Sequence, residues 1–96
     1  MANISQLCIF KKAIDVIGER ELVDRAIEEM AELTVAINHH RRKRCSVKAV
    51  QEEIADVQIA LRTIAKIYGQ GEVMDIYYQK IERFHGEIND RRRRRK

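Results

Sequence analysis

The sequence predicts an all-α protein: a four-helix domain that completes a helical bundle by associating with further copies of itself. Three observations predict it. Proline is absent and glycine occurs only four times in 96 residues, while Ala, Ile, Leu, Glu, Lys and Arg, residues at ease in helices, make up much of the chain. Apolar residues recur every three or four positions over long stretches, with no strand-like segment and no internal repeat. A single domain this short also buries a smaller share of its surface than a large one, so self-association is its natural support.

The elements follow in order. Asn3, with Gln6 three residues on, resembles a helix start, and Ile4, Leu7, Cys8, Ile14 and Ile17 keep helical spacing as far as Gly18, which predicts a first helix over about 4–17. From about Arg20, Leu22, Val23, Ala26, Ile27, Met30, Leu33, Thr34 and Ile37 share one face, and the pattern fades in His39-His40-Arg41-Arg42-Lys43-Arg44. A second helix therefore ends near His40. Ser46 is a plausible N-cap for a third helix over about 47–68, whose stripe is Val47, Val50, Ile54, Val57, Leu61, Ile64, Ala65 and Tyr68, with Gly69 as its stop. Beyond Gly71 the stripe Val73, Ile76, Tyr77, Ile81, Phe84 and Ile88 predicts a fourth helix. The organisation is thus one domain over residues 1–90 and a basic, solvated, mobile tail over 91–96.

The net charge of +4 is misleading, because six of the nineteen basic residues stand in Arg91–Lys96; residues 1–90 hold 13 basic against 15 acidic residues, a net of −2. Five consecutive arginines attract polyanions weakly and without sequence preference. No recognition helix or aromatic-interleaved basic surface accompanies them, which argues against specific nucleic-acid recognition. Cys8 and Cys45 fit no zinc or CxxC spacing and read as one buried and one loop thiol in a reducing, cytoplasmic setting. Lys11, Lys12 and Asp15 interrupt the apolar stretch from Gln6 to Ile17, which excludes a signal peptide or membrane span there, so a soluble protein without membrane contact is expected.

The most informative feature is a pair of acidic clusters, Glu28-Glu29-Met30-Ala31-Glu32 and Glu53-Ile54-Ala55-Asp56, one on the second helix and one on the third. Four residues after Glu29, Glu32, Glu53 and Asp56 stand Leu33, Ala36, Val57 and Ala60, so no cation answers from that side. The neighbours one turn away are other acids: Asp24/Glu28, Glu28/Glu32, Glu29/Glu32, Glu52/Asp56 and Glu53/Asp56. Such pairs cost on the order of 0.2–0.5 kcal/mol each in an isolated helix, roughly 1–2.5 kcal/mol together. At 100° per residue, Glu29 and Glu32 flank one apolar stripe and Glu53 and Asp56 flank the other, with Glu28 and Glu52 pointing further out. If the two helices pair antiparallel, the flanks can converge on one acidic pocket. A hard divalent cation that prefers oxygen ligands fits that pocket best.

These residues, two Glu, two others, Glu, a gap of 20, Glu, two others, Asp, resemble the signature of the MazG-like, all-α nucleoside triphosphate pyrophosphohydrolases, of the small phage or bacterial type, over essentially residues 4–90. The resemblance implies a MazG-like helical domain that forms its site within a homodimer or homotetramer. It implies hydrolysis of a nucleoside triphosphate to the monophosphate and pyrophosphate, a nucleotide-pool activity. It implies Mg²⁺, with Mn²⁺ as a possible substitute, on Glu29, Glu32, Glu53 and Asp56, and Glu28 orienting or deprotonating the attacking water. Lys80 and Arg83, one turn apart, resemble the family's phosphate contacts on a later helix. No motif reports the base or sugar; Tyr68, Tyr77 and Tyr78 are candidates to stack on a base, although aromatics at helical spacing are more often core.

Other chemistries find less support. A carboxylate-bridged di-iron bundle needs Glu-x-x-His on two helices, and only Glu82 with His85 fits. Neither cysteine has a placed His partner, and Ser5 and Ser46 read as helix-start residues, which disfavours nucleophilic catalysis. The run His39–Arg44 reads first as compensation for the negative end of the second helix, and Arg83 has Glu87 one turn on as an ordinary partner. The alternative from another class is a non-enzymatic helical interaction module that binds nucleic acid or an acidic partner through its basic tail.

Overall fold

The structure is a computed structural model that describes residues 3–95, with positions 3–5 and 7 described as helical backbone. The expected cap at Asn3, the side chains of Ile4 and Leu7, and Lys96 lie outside the described residues. Four helices follow one another: α1 Asn3–Ile17, α2 Glu19–Arg41, α3 Val47–Tyr68 and α4 Gln70–Arg94. Among the described residues there is no strand, and no helix is long and apolar enough to cross a membrane.

Two of the three connections are single glycines, because each demands a backbone that side chains resist. Gly18 (φ 100°, ψ 150°) breaks α1 from α2, and Gly69 (φ 116°, ψ 87°) breaks α3 from α4, conformations at positive φ that glycine tolerates at low cost. Gly71, expected outside the fourth helix, lies inside it; the break is made entirely at Gly69. The α2–α3 connection is longer. Arg44 N–H donates to the His39 carbonyl at 2.8 Å and Lys43 N–H to the His40 carbonyl at 2.8 Å, the paired bonds of a Schellman stop with Lys43 at φ 62° where glycine is usual. Lys43→Gly is expected to stabilise the fold by about 1 kcal/mol, the order of the left-handed penalty for a side chain, as read by urea denaturation. Ser46 then caps α3 as its sequence suggests, its hydroxyl accepting from Ala49 N–H at 3.2 Å.

The short loop folds α2 and α3 into an antiparallel pair, and α1 lies against both. The core between them is small: among the described residues Leu22, Ala26, Ala36, Val57 and Thr63 are buried, and no large side chain is fully enclosed. Thr63 satisfies its hydroxyl on the Ile59 carbonyl at 2.9 Å. The apolar stripe expected on α2 and the one expected on α3 each split in two. On α2, Leu22 and Ala26 turn inward while Ile27, Met30 and Ile37 stay exposed; on α3, Val57 turns inward while Val47, Ile54, Leu61 and Tyr68, spaced by seven residues, stay exposed. One partner helix can cover only part of an apolar arc this wide, so the α2–α3 pair keeps a second apolar seam.

Helix α4 packs only against α3, and none of its residues is buried. Its whole stripe, Val73, Ile76, Tyr77, Ile81, Phe84 and Ile88, faces outward. The radius of gyration is accordingly 16.9 Å, against about 12.5 Å for a compact domain of this length. The basic segment expected to leave the helix after Asp90 continues it to Arg94: arginine is a good helix former, the last turn of a helix favours cations, and Arg91 pairs with Glu87 at 3.0 Å. Both cysteines are free, with Cys8 exposed rather than buried as expected and Cys45 half-buried. The Cys45 thiol donates to the Ala36 carbonyl at 3.4 Å, and His40 Nδ1 lies 3.0 Å from the Cys45 carbonyl, which ties the loop to the end of α2.

Candidate metal centre

Antiparallel pairing of α2 and α3 brings the two acidic clusters together. Glu29 from α2 and Glu53 and Asp56 from α3 each offer a carboxylate oxygen, and these oxygens lie within 4.8 Å of one another. Glu32 stands beside them, close enough to Glu29 and Glu53 to act on both through its charge. Helical geometry explains the convergence: Glu29 lies one heptad after the buried Leu22 and Glu53 four residues before the buried Val57, so both point toward the helix–helix interface. Glu29 and Glu53 are half-buried, whereas Glu32 and Asp56 remain exposed.

The electrostatics of this arrangement are unfavourable as they stand. Burial pushes the Glu29 carboxyl above its ordinary value, and Glu32, Asp56 and Glu53 push in the same direction. Glu53 is raised by burial as well, then by Glu32, Asp56 and Glu52. One Glu53 oxygen, Oε2, is shielded from solvent and has no hydrogen-bond partner among the described residues. An acceptor in that position is costly without a positive or donating group against it. Ligand oxygens at about 2.1 Å from a six-coordinate Mg²⁺ stand roughly 3–4.2 Å apart, so oxygens already within 4.8 Å need little movement to share one ion. By donor type, spacing and an unmet acceptor, these residues fit a hard divalent cation.

The sign of the pH dependence follows. A carboxyl raised in the fold binds its proton more tightly there than in the unfolded chain, so its contribution favours the fold below the ordinary value of 4.5 and is lost as pH rises through the folded pKa. Without metal, the difference in melting temperature between Glu29→Gln and the parent is expected to grow in the variant's favour as pH rises from about 4.5 to neutrality. Saturating Mg²⁺ is expected to reverse it. Parallel thermal melts in chelator and in magnesium check both halves.

Glu29 and Asp56, but not Glu53, open onto a cleft of about 560 Å³ between α1, α2 and α3. Glu28, Glu29, Glu32 and Asp56 form its acidic side; Ile9, Phe10, Ala13 and Ile17 of α1 and Ile59 and Ala60 of α3 form an apolar side. Glu28 is exposed at this cleft, a position from which it reaches solvent water. A second, shallower hollow on the other side carries Glu32, Glu52, Glu53, His39 and Cys45. Lys80 and Arg83 line neither hollow, and α4 touches neither α1 nor α2. Glu87, the ordinary partner expected for Arg83, bonds Arg91 instead. Tyr68, Tyr77 and Tyr78 are exposed and line neither hollow; Tyr77 and Tyr78 stack edge to face with centroids 5.6 Å apart.

Two cleft residues escape a sequence reading. Among the described residues, Phe10 is the aromatic side chain that lines the cleft together with the acids, and Arg25 is the cation that does so. Arg25 was legible in principle, since it stands one turn before Glu29; looking only one turn after each acid passes it by. Phe10 carries no such signal, because nothing local says which face of α1 meets α3. No known family model, curated protein or solved structure matches the chain.

Proposed function

We propose that the protein is a magnesium-dependent nucleoside triphosphate pyrophosphohydrolase of the MazG-like type, yielding the nucleoside monophosphate and pyrophosphate. The observation that carries this reading is the convergence of Glu29, Glu53 and Asp56 within 4.8 Å, with Glu53 Oε2 shielded and unpartnered. A solvated helix face spreads its acids toward water and keeps them near their ordinary pKa; here Glu29 and Glu53 are pushed up by burial and by neighbouring carboxylates. Glu29, Glu32, Glu53 and Asp56 hold the metal, and Glu28 at the cleft wall orients or deprotonates the attacking water. Bound magnesium supplies charge neutralisation for the phosphates and a more acidic water.

The cleft supports a nucleotide as the occupant. Its volume, about 560 Å³, lies in the range typical of small-molecule sites. Its two sides match the two halves of the substrate: carboxylates that hold metal for the triphosphate, and an apolar wall with Phe10 for the base.

The exposed seams on α2, α3 and α4 favour an assembly of copies, a homodimer or homotetramer, as the working form. Lys80 stands seven residues after Val73, within about 20° of it on the helix surface, so a copy that covers the α4 stripe also meets Lys80, with Arg83 on its flank. The deciding assay is pyrophosphate release from each common ribo- and deoxyribonucleoside triphosphate, in Mg²⁺ and in chelator. Metal-dependent release from at least one triphosphate is expected. No release from any of them, by protein that binds Mn²⁺, overturns the reading.

The exposed arginines at the end of α4, Arg91–Arg94, favour as a second reading a helical module that binds polyanions. Truncation after Asp90 separates the two: under the enzyme reading it removes salt-sensitive polyanion binding and spares turnover.

A further inference from the structure

Among the described residues, the cleft that carries Glu28, Glu29, Glu32 and Asp56 is lined by one cation, Arg25. Its guanidinium Nη2 bonds Glu21 Oε2 at 2.6 Å, and both side chains are 56% exposed. Glu21 does not line the cleft. The pair therefore stands at the cleft's rim, where Arg25 contributes to the lining and Glu21 does not. Arg25 lies one helical turn before Glu29 on α2, about 6 Å along the axis. That offset is on the order of the distance between the first and last phosphates of an extended triphosphate.

Arg25 does not neutralise the acids. Its bonded partner is Glu21, and no cation is among the charges that act on Glu29 or Glu53. A guanidinium at the rim of an acidic cleft, tied only by an exposed pair, is poised for exchange: such a pair holds its partners weakly, whereas arginine binds phosphate by two parallel charge-assisted bonds. Lys80 and Arg83 have no comparable position within the protomer, because α4 reaches neither α1 nor α2.

Resting on the pyrophosphohydrolase reading, we propose that Arg25 is the triphosphate-binding cation of the cleft: it leaves Glu21 when substrate enters and grips the phosphates that depart as pyrophosphate, beside the carboxylates that would hold metal. Glu21 is then a positioning residue that stores the guanidinium at the rim. No covalent step is assigned to either. Discrimination follows: the site prefers triphosphates over monophosphates through Arg25, because the monophosphate lacks the groups that Arg25 grips.

The test uses the full-length protein, Mn²⁺ and inorganic triphosphate, which removes the base from the comparison. Calorimetric titration measures Mn²⁺ alone, then triphosphate in saturating Mn²⁺, for the parent, Arg25→Ala, Arg25→Lys, and Lys80→Ala combined with Arg83→Ala. Arg25→Ala is expected to lose about tenfold or more in triphosphate affinity, the order of one hydrogen-bonded charge pair. Its Mn²⁺ affinity should stay within about twofold, and Arg25→Lys should fall between, since lysine keeps the charge but not the fork. With a nucleoside triphosphate, KM should rise in Arg25→Ala while the monophosphate's inhibition constant stays put. Unchanged triphosphate affinity in Arg25→Ala, or a loss confined to the Lys80 and Arg83 variant, overturns the proposal and leaves the metal centre standing. Failure of the parent to bind Mn²⁺ overturns the underlying reading instead. Arg25 is exposed, and unchanged circular dichroism in Arg25→Ala separates lost binding from lost fold.

Discussion

Glu53→Gln is expected to abolish magnesium-dependent pyrophosphate release and, in metal-free buffer at neutral pH, to raise the melting temperature. The two effects have one cause. Glu53 sits where α3 meets α2, with one oxygen shielded from water and unpartnered, and with Glu32, Asp56 and Glu52 opposing its charge. Neutralising it removes a repulsion that the metal-free fold carries at every pH above the carboxyl's own pKa. The same change removes a hard anionic ligand, and a neutral amide is a poor replacement for carboxylate toward Mg²⁺. Magnesium should therefore raise the melting temperature of the parent, by mass action on the folded state, and leave that of Glu53→Gln almost unmoved. Loss of a metal ligand at a hydrolytic centre is expected to cost several orders of magnitude in kcat/KM, since metal and electrostatic stabilisation supply most of the rate enhancement in phosphoryl transfer. A variant that turns over normally, or still responds to magnesium like the parent, removes Glu53 from the site.

Ile54→Lys combined with Leu61→Lys is expected to leave the protein monomeric and markedly less stable. Both side chains lie on the outer α3 seam, 41% and 44% exposed, in register with Val47 and Tyr68 at seven-residue intervals. A sustained seven-residue column is what helix–helix seams use. Protomers that meet there shield two large aliphatic side chains per copy, each contributing about 1.5–3 kcal/mol on full burial; charged replacements lose that and repel. In sedimentation the parent should sediment as an assembly, and its melting temperature should rise with concentration. The double variant should show a single small species and no such dependence. A parent that stays monomeric at high micromolar concentration refutes the expectation, and the exposed stripes then need another explanation.

The elements were legible because they are local. Helix-breaking glycines at 18 and 69, a serine cap at 46, and apolar periodicity within each segment depend on neighbours a few residues away, and the four helices fall where those signals stand. The acidic clusters were legible for the same reason: like charges at one-turn spacing with no cation after them violate an ordinary solvated face. The end of α4 was misjudged because a like-charge run predicts solvation and says little against helix; Arg91 with Glu87, and favourable cations at a C-terminus, extend it.

What no local pattern contains is the choice of neighbour. The stripe on α3 reads as one surface from Val47 to Tyr68, yet packing against α1 and α2 takes the half around Val57 and leaves the Ile54 and Leu61 half open. The same choice turns Glu29 and Glu53 inward, puts Phe10 and Arg25 at the acidic cleft, and leaves Lys80 and Arg83 on an arm that reaches neither of the first two helices. Periodicity states which residues share a face, since that follows from 3.6 residues per turn. Which face meets which helix follows from burying area and separating charge over the whole molecule, and only the folded arrangement holds that information.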